Sequence, residues 1–384
     1  MRKQMSIIMI LLVTTFIGFG IIIPILPDVV SHFHLNLMLA VYSLVGFIVS
    51  PLWGRLSDRI GRRPVLMTGI LGFSLSFFVF AIGLDSLFLM YLSRVLGGLF
   101  SGAVTACAVA YVADITSHDD RTKGMGLVGM SIGLGFIFGP AVGGLLSVYG
   151  NDVPFYMSSV LAFLTFLFVA ASLRESLPPE RRKQIDAPRQ SRWIAFKGRM
   201  KHLYMIAFIV TFTLAALEGT LQYYYMVQFD ISKVQMGWMF LISGIVGALI
   251  QGGVVRRYIK RGDEPKYMRL GLVLSALGFV LMIFSTNFWT GALFLAVFSA
   301  GNALVRPCVT SLITQKTTVG QGIASGLSSS MDSLGRIGGP LIGTALYHLK
   351  IALPFLFGAV VCLSALFILH RFIVLDRSTQ QADA

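Results

Sequence analysis

The sequence predicts an all-α membrane protein of twelve spanning helices, and three observations predict it. Charged residues make up only 12% of the 384-residue chain, about half the share carried by a soluble globular domain. Hydrophobic residues make up 55%, with 30 Phe and a mean hydropathy of +0.79, a surplus too large to hide in one core behind a charged surface. Mostly apolar runs, near the roughly 20 residues needed to cross a bilayer, recur twelve times between clusters of charge and turn residues.

In order, the runs cover 5–26, 37–53, 65–84, 87–110, 124–147 and 153–173, then 203–226, 236–255, 267–286, 288–312, 321–346 and 352–374. The first follows Arg2 and Lys3, as the apolar segment of a signal peptide would. It is too long for one, and no small-residue cleavage site follows it, so it reads as a retained helix. Asp28 to Leu37 leaves little outer loop, so the second helix is expected to start late or to tilt. The longest polar stretch, Arg174 to Lys201, holds Pro178, Pro179 and Pro188. It divides the chain into a six-helix half over 1–173, a cytoplasmic linker over 174–202, and a six-helix half over 203–384 with a short cytoplasmic tail. An internal repeat supports pseudo-symmetric halves: Gly139-Pro140-Ala141-Val142-Gly143-Gly144 returns as Gly339-Pro340-Leu341-Ile342-Gly343. Parallel repeats of this kind build transporters with a site between the halves.

Short cytoplasmic loops retain Lys and Arg, and of the 31 such residues 26 fall on one side of the spans. Lys233 and Lys350 fall on the other, while Arg94, Arg306 and Arg336 lie inside spans. Both termini are therefore expected in the cytoplasm, with the chain a multi-pass protein of the bacterial inner membrane. The net charge of +14 is an orientation signal with some attraction to anionic lipid, and no nucleic-acid partner is needed to explain it. Trp53, Trp238 and Trp289 stand near span ends, as interfacial anchors do.

Enzymatic readings find no support. There is no phosphate-binding Gly-x-x-x-x-Gly-Lys-[Ser/Thr] loop, so ATP hydrolysis has no seat and the driving force is a gradient. The six His are scattered, and no carboxylate or Cys completes a metal site with them. Cys107, Cys308 and Cys362 sit in apolar runs as small packing residues. No nucleophile is paired with a base. The expectation is a secondary transporter, acting as a monomer, without metal or cofactor, whose partners are a small-molecule substrate, protons and the bilayer.

Between the second and third runs stands Gly54-Arg-Leu-Ser-Asp58-Arg59-Ile-Gly61-Arg62-Arg63-Pro64. Its glycines allow close approach, and Pro64 opens a helix. It resembles the loop signature G-x-L-x-D-R-x-G-R-[KR] of the major facilitator superfamily. The fifth run, with Gly133-Leu-Gly135-Phe-Ile-Phe-Gly139-Pro140-Ala-Val-Gly143-Gly144, is similar to the Gly-Pro signature of that superfamily's antiporters. Small residues on one face permit close packing, and Pro140 frees a carbonyl and supplies a hinge. With Gly18-Phe-Gly20-Ile-Ile-Ile-Pro24-Ile-Leu-Pro27 in the first run, the whole chain resembles the twelve-helix drug:proton antiporters of NorA-like and Bmr-like type. The resemblance implies the twelve-helix fold and a gating role for the loop, with Asp58 meeting the cytoplasmic start of helix eleven. The second-half counterpart, Gly253-Val-Val-Arg256-Arg257-Tyr-Ile-Lys260-Arg261-Gly262, is degenerate and lacks the acid.

Two carboxylates, Glu218 and Asp332, fall well inside apolar runs, where a charge costs at least about 2.5 kcal/mol. Glu218 has no basic residue within a helical turn. Apolar surroundings disfavour a bare carboxylate, so it suits binding and releasing a proton. Related exporters have an acid at the matching point of helix seven. Asp332 has Arg336 four residues on, which makes a structural or gating ion pair the preferred reading and leaves a substrate-facing pair open. The resemblance ties Arg94 to proton transfer. Arg306 is expected to snorkel toward the cytoplasmic face; its family pattern has an acid three residues earlier, where this chain has Ala303. Helices one, four, seven and ten line the cavity in the family, which points to Phe16, Phe19, Gln222, Tyr223, Tyr225, Phe298 and Asn302 as substrate contacts.

These readings converge on a proton-coupled antiporter exporting amphipathic or cationic small molecules. A dedicated exporter of one metabolite, such as a sugar, amino acid or siderophore, fits the same fold. A membrane receptor without transport would tolerate Glu218→Gln.

Overall fold

The computed structural model describes residues 2–30, 32–180, 182, 198–231 and 233–382. Among them stand twelve helices of 17 residues or more. These are α1 Arg2–Val29, α2 His32–Ile60, α3 Arg62–Ile82, α4 Leu87–Ile115, α5 Arg121–Leu146, α6 Val153–Ser172, α7 Met200–Phe229, α8 Lys233–Leu249, α9 Glu264–Ile283, α10 Phe288–Lys316, α11 Gln321–Leu349 and α12 Leu353–Ala382. Over the described residues ten are long and apolar enough to cross a membrane; α11 is diluted by glycine, serine, Asp332 and Arg336. Hydrocarbon offers a backbone amide no partner, so helices that satisfy their own amides are the structure this composition allows.

The second helix does not start late. It begins at His32, three residues after α1 ends at Val29, and its bilayer-length apolar part runs from Leu37 to Ile60. Helix α8 continues through a π turn, Ile250–Val255, into a last short turn, Arg256–Tyr258. The turn holds the pair Gly252-Gly253, where a widened helix meets least side-chain resistance. The start of α10 is fixed by a capping box: Asn287 Oδ1 accepts from the Thr290 amide at 3.0 Å, and the Asn287 amide donates to Thr290 Oγ1 at 3.1 Å. Trp238 and Trp289 are exposed near helix starts, whereas Trp53 is half-buried and donates from Nε1 to the Leu99 carbonyl at 2.7 Å. Trp53 is therefore a packing residue of the bundle.

The chain forms two compact units. One comprises 1–117, 131–190 and 319–333; the other comprises 118–130, 191–318 and 334–384. The starts of α5 and α11 thus belong to the unit opposite to the rest of their helices. Within the first unit α3 packs on α4 and α6, α2 on α4, and α1 on α6. Within the second, α9 packs on α10 and α12, α8 on α10, and α7 on α12, the same pairs six helices later. Paired hydroxyls bridge α3 and α6: Ser74 Oγ donates to the Ser159 carbonyl at 2.8 Å, and Ser159 Oγ to the Ser74 carbonyl at 2.9 Å.

Glycine sets the closest helix approach, and it does so twice at a spacing of four. In the first unit a Cβ on Gly139 would stand 2.7 Å from Gly20 Cα, one on Gly143 would stand 2.7 Å from the Ile21 carbonyl oxygen, and one on Gly135 would collide with Phe16. In the second unit Gly335, Gly339 and Gly343 line α7 in the same way, 2.7 Å from the Phe212 nitrogen, 2.6 Å from the Phe212 oxygen and 2.9 Å from the Ala216 oxygen. The repeat visible at Gly139 and Gly339 therefore extends back to Gly135 and Gly335. Gly144 is different: a Cβ there meets nothing within 4 Å. Gly143→Ala should cost about 1–3 kcal/mol through overpacking, while Gly144→Ala should be neutral. Thermal unfolding of the two variants in detergent checks this, and equal stability would remove the packing role of the glycine row.

Candidate functional site

At one end of the first unit the loop between α2 and α3 closes on a buried guanidinium. Arg62, 1% exposed, pairs through Nη1 with Asp58 Oδ1 at 2.8 Å and through Nε with Asp114 Oδ2 at 2.9 Å, and donates from Nη1 to Ser57 Oγ at 2.7 Å. Asp58, wholly buried, also receives the first free amides of α11: Gly322 N at 2.9 Å and Ile323 N at 2.9 Å. A helix start presents unpaired N–H groups and a positive dipole end, so a carboxylate belongs there. The approach requires glycine on both sides, because a Cβ on Gly54 would collide with the Gly322 carbonyl and one on Gly320 with the Asp58 carboxylate.

The start of the linker joins this cluster. Glu175 accepts from the amides of Arg62 at 2.8 Å and Arg63 at 3.1 Å, and so caps α3 from a distant part of the chain. Gly61 has φ +108°, and a Cβ there would lie 2.5 Å from Glu175 Oε2, so both backbone and neighbour demand glycine. Arg63 donates from Nη2 to the Ala170 carbonyl at 2.6 Å, and Arg59 is exposed. Three acids thus surround one loop: Asp58, which the loop motif marks, and Asp114 and Glu175, which it does not. Their signal in the sequence is a carboxylate at the end of an apolar run, readable only once the runs are known to end together.

The second unit has a buried carboxylate at its own matching turn after all. Glu264 is wholly buried in the first turn of α9 and accepts from Thr122 Oγ1 at 2.8 Å, Gln315 Nε2 at 3.0 Å and Gly262 N at 2.7 Å. Thr122 lies in the first turn of α5 and contacts Ser311 Oγ at 2.6 Å. The acid absent from the degenerate 253–262 segment is supplied two residues past Gly262, and its ligands are neutral hydroxyl, amide and backbone groups where Asp58 has an arginine.

Within the bilayer-length parts, Glu218 is exposed on α7, beside Gly219, whose Cβ position lies 3.1 Å from Pro340 Cβ. Arg336 on α11 and Arg306 on α10 both lie within electrostatic range of its carboxyl. Arg306 and Arg336, both on other helices, thus act electrostatically on Glu218. Asp332 and Arg336 are half-buried on α11, in the segments assigned to the first and second units respectively. Arg94 is 2% exposed, with its guanidinium carbon 4.5 Å from the centroid of the Phe80 ring. Its Nη2 donates to Ser93 Oγ at 3.3 Å, and its Nε has no hydrogen-bond partner among the described residues.

The aromatic candidates divide. Phe16 and Phe19 each stand 5.3 Å from Phe136, and Phe19 stands 5.4 Å from Tyr42, in one cluster of the first unit. Phe136 and Tyr42 lie on helices five and two, outside the helices from which candidates were drawn. Tyr225 and Phe298, expected at the cavity, are core residues instead. Tyr225 is wholly buried with its hydroxyl 2.7 Å from Ser285 Oγ, and Phe298, 1% exposed, packs edge-on against Phe279 at 4.8 Å. Asn302 is half-buried and donates to the Val210 carbonyl at 3.2 Å. The side chains of Pro140, Gln222 and Tyr223 lie outside the described residues.

Two sets of six helices with the same packing pairs, most of them apolar enough to cross a membrane, and buried carboxylates at the ends of matching helices are the architecture of a multi-spanning transporter. The chain belongs to the major facilitator superfamily, whose family description matches residues 8–263 and 203–384. Multidrug resistance protein 2 of Bacillus subtilis (strain 168) is 33% identical over 95% of this chain and 94% of its own length. Quinolone resistance protein NorA of Staphylococcus aureus (strain COL) is 28% identical over 92% of both chains. The crystal structure of the human organic anion transporter MFSD10 (TETRAN) superposes with a TM-score of 0.85 at 26% identity, covering 96% of this chain and 99% of that one.

Arg62 serves two acids and Asp58 serves one cation and a helix end, which orders the cost of removing them. Arg62→Gln leaves Asp58 and Asp114 buried without their cation and should cost about 3–5 kcal/mol. Asp58→Asn keeps one acceptor for the α11 amides and should cost about 1–3 kcal/mol. Thermal unfolding in detergent ranks the two, and the reverse order would show that the Arg62–Asp114 pair contributes little.

Proposed function

We propose that this chain is a proton-coupled antiporter that exports amphipathic small molecules, aromatic or cationic, across a bacterial cytoplasmic membrane by alternating access, with both termini in the cytoplasm. The working halves are 1–173 and 203–384, joined by the linker 174–202. The observation that carries the reading is Glu218: an exposed carboxylate in a spanning helix, within range of Arg306 and Arg336. A group so placed can exchange a proton, and its charge state alters its balance with the two arginines. The relatives named for multidrug and quinolone resistance support the same class of cargo.

The Asp58 cluster is assigned the gate. Segment 319–333 packs in the first unit although its chain continues into α11 of the second half, so opening at the cytoplasmic end requires Gly322 and Ile323 to leave Asp58. Two hydrogen bonds to a charged group are worth about 1.5–3 kcal/mol each. One proton moving through 100 mV supplies about 2.3 kcal/mol. The latch is thus of the same order as the driving force: it sets which state is populated without preventing turnover.

A second reading, export of an organic anion, is favoured by the likeness to the human organic anion transporter. Ethidium efflux from energised cells separates the cases. Wild type should extrude ethidium, and both a protonophore and Glu218→Gln at normal membrane abundance should reduce efflux to passive leak. Efflux that survives Glu218→Gln would reassign the coupling group. Failure of wild type to move ethidium, with uptake of a carboxylated dye into inverted vesicles, would favour the anion reading.

A further inference from the structure

The two cytoplasmic turns use their cations in opposite ways. In the first unit Arg62 is held by Asp58 and Asp114, and Arg63 is tied to the Ala170 carbonyl. In the second, Arg256, Arg257, Lys260, Lys266 and Arg269 are all exposed, and among the described residues none of them has an ion pair. Arg257 lies only against the ring of Tyr258, at 5.9 Å, and the neighbouring Arg261 reaches the exposed Asp119 at 3.5 Å. The acids nearest in the chain are occupied: Asp263 accepts from the Lys260 amide at 3.4 Å, and Glu264 is buried against Thr122 and Gln315. A strongly cationic surface is therefore left at the end of two spanning helices.

What stands beside that surface sets its partner. Lys266 and Arg269 head a single exposed stripe on α9 that continues as Leu270, Val273, Leu277 and Val280, which are 49%, 46%, 46% and 37% exposed. The spacing of three and four keeps these residues on one face, while Met268, Leu272, Ser275 and Ala276 bury the other. From Arg269 to Val280 the stripe rises about 16 Å at 1.5 Å per residue, close to the roughly 15 Å of one hydrocarbon leaflet. Cations at the interface followed by a leaflet's length of aliphatic surface match a phosphate headgroup and its acyl chains. Helix α3, the counterpart six helices earlier, has exposed Leu71, Leu75, Phe78 and Ile82 but no Lys or Arg from Pro64 onward.

We infer that the α8–α9 turn and the exposed face of α9 form a binding site for an anionic glycerophospholipid, with its headgroup on Arg256, Arg257, Lys266 and Arg269 and its chains along Leu270 to Val280. The inference rests on the chain being embedded in a membrane and not on the direction or cargo of transport. Because Glu264 at the end of the same turn accepts from the Gly262 amide and from Thr122 of α5, lipid held there would steady the second unit's cytoplasmic end.

The test uses the purified full-length chain in detergent, titrated with phosphatidylglycerol or with phosphatidylcholine of the same acyl chains, and reads bound lipid by native mass spectrometry and stability by thermal unfolding. Phosphatidylglycerol should bind and stabilise wild type, and neutralising Arg256, Arg257, Lys266 and Arg269 to Gln should weaken that binding at least about tenfold. Neutralising four exposed cations elsewhere, Arg174, Lys201, Arg371 and Arg377, should leave it intact. Equal binding of phosphatidylcholine, equal loss in the control variant, or undiminished binding in the turn variant would each overturn the site. Should the fourfold turn variant not fold, Lys266→Gln/Arg269→Gln is read against the same outcomes.

Discussion

Helices in hydrocarbon gain little by hiding apolar side chains from one another, because lipid tails are as apolar as leucine; they associate where backbones come close. In this chain that condition is met by glycine rows on α5 and α11, which bring them against α1 and α7 with no room for a Cβ at Gly139, Gly143, Gly335 or Gly339. The pairing repeats six helices later in every helix contact named for the two units. The two glycine rows are thus one part of the architecture that the half-molecules share.

Charge is confined by the same solvent. A guanidinium taken out of water is tolerated only with partners, and Arg62 has two carboxylates, each within 2.9 Å. The acids that neutralise it also complete helix ends: Asp58 serves α11, and Glu175 serves α3. One cluster therefore satisfies a buried charge and two sets of orphan amides together. Breaking any member leaves another uncompensated.

The two halves have diverged at this point while keeping the framework. Glu264 occupies the second unit's matching turn with three neutral donors in place of an arginine, so its contact with α5 is a hydrogen-bond network and not an ion pair. An ion pair adds the attraction of two full charges, which neutral hydroxyl and amide donors do not supply. The Glu264 cluster accordingly lacks that attraction, and the cations of its turn are left exposed.

The class of fold was legible in the sequence, because bilayer crossing depends on length and local apolarity, quantities that neighbours in the chain determine. The order of the runs, the excess of Lys and Arg on one side, the loop around Asp58 and the Gly-Pro repeat are all local. The positions that required tertiary structure are those whose meaning depends on distant residues. Asp114, Glu175 and Glu264 look like ordinary charges at helix ends until Arg62, the α3 amides and Thr122 are brought to them. Tyr225 and Phe298 share their helices with cavity candidates, but rotation of each helix in its bundle turns them into the core. Glu218 stands without a cation among its helical neighbours, yet Arg306 and Arg336, 88 and 118 residues away along the chain, act on it electrostatically. Sequence determines what each helix can face; packing decides what it does face, because apolar surface is alike on every side of a spanning helix and only the fit of glycines and paired charges selects one rotation.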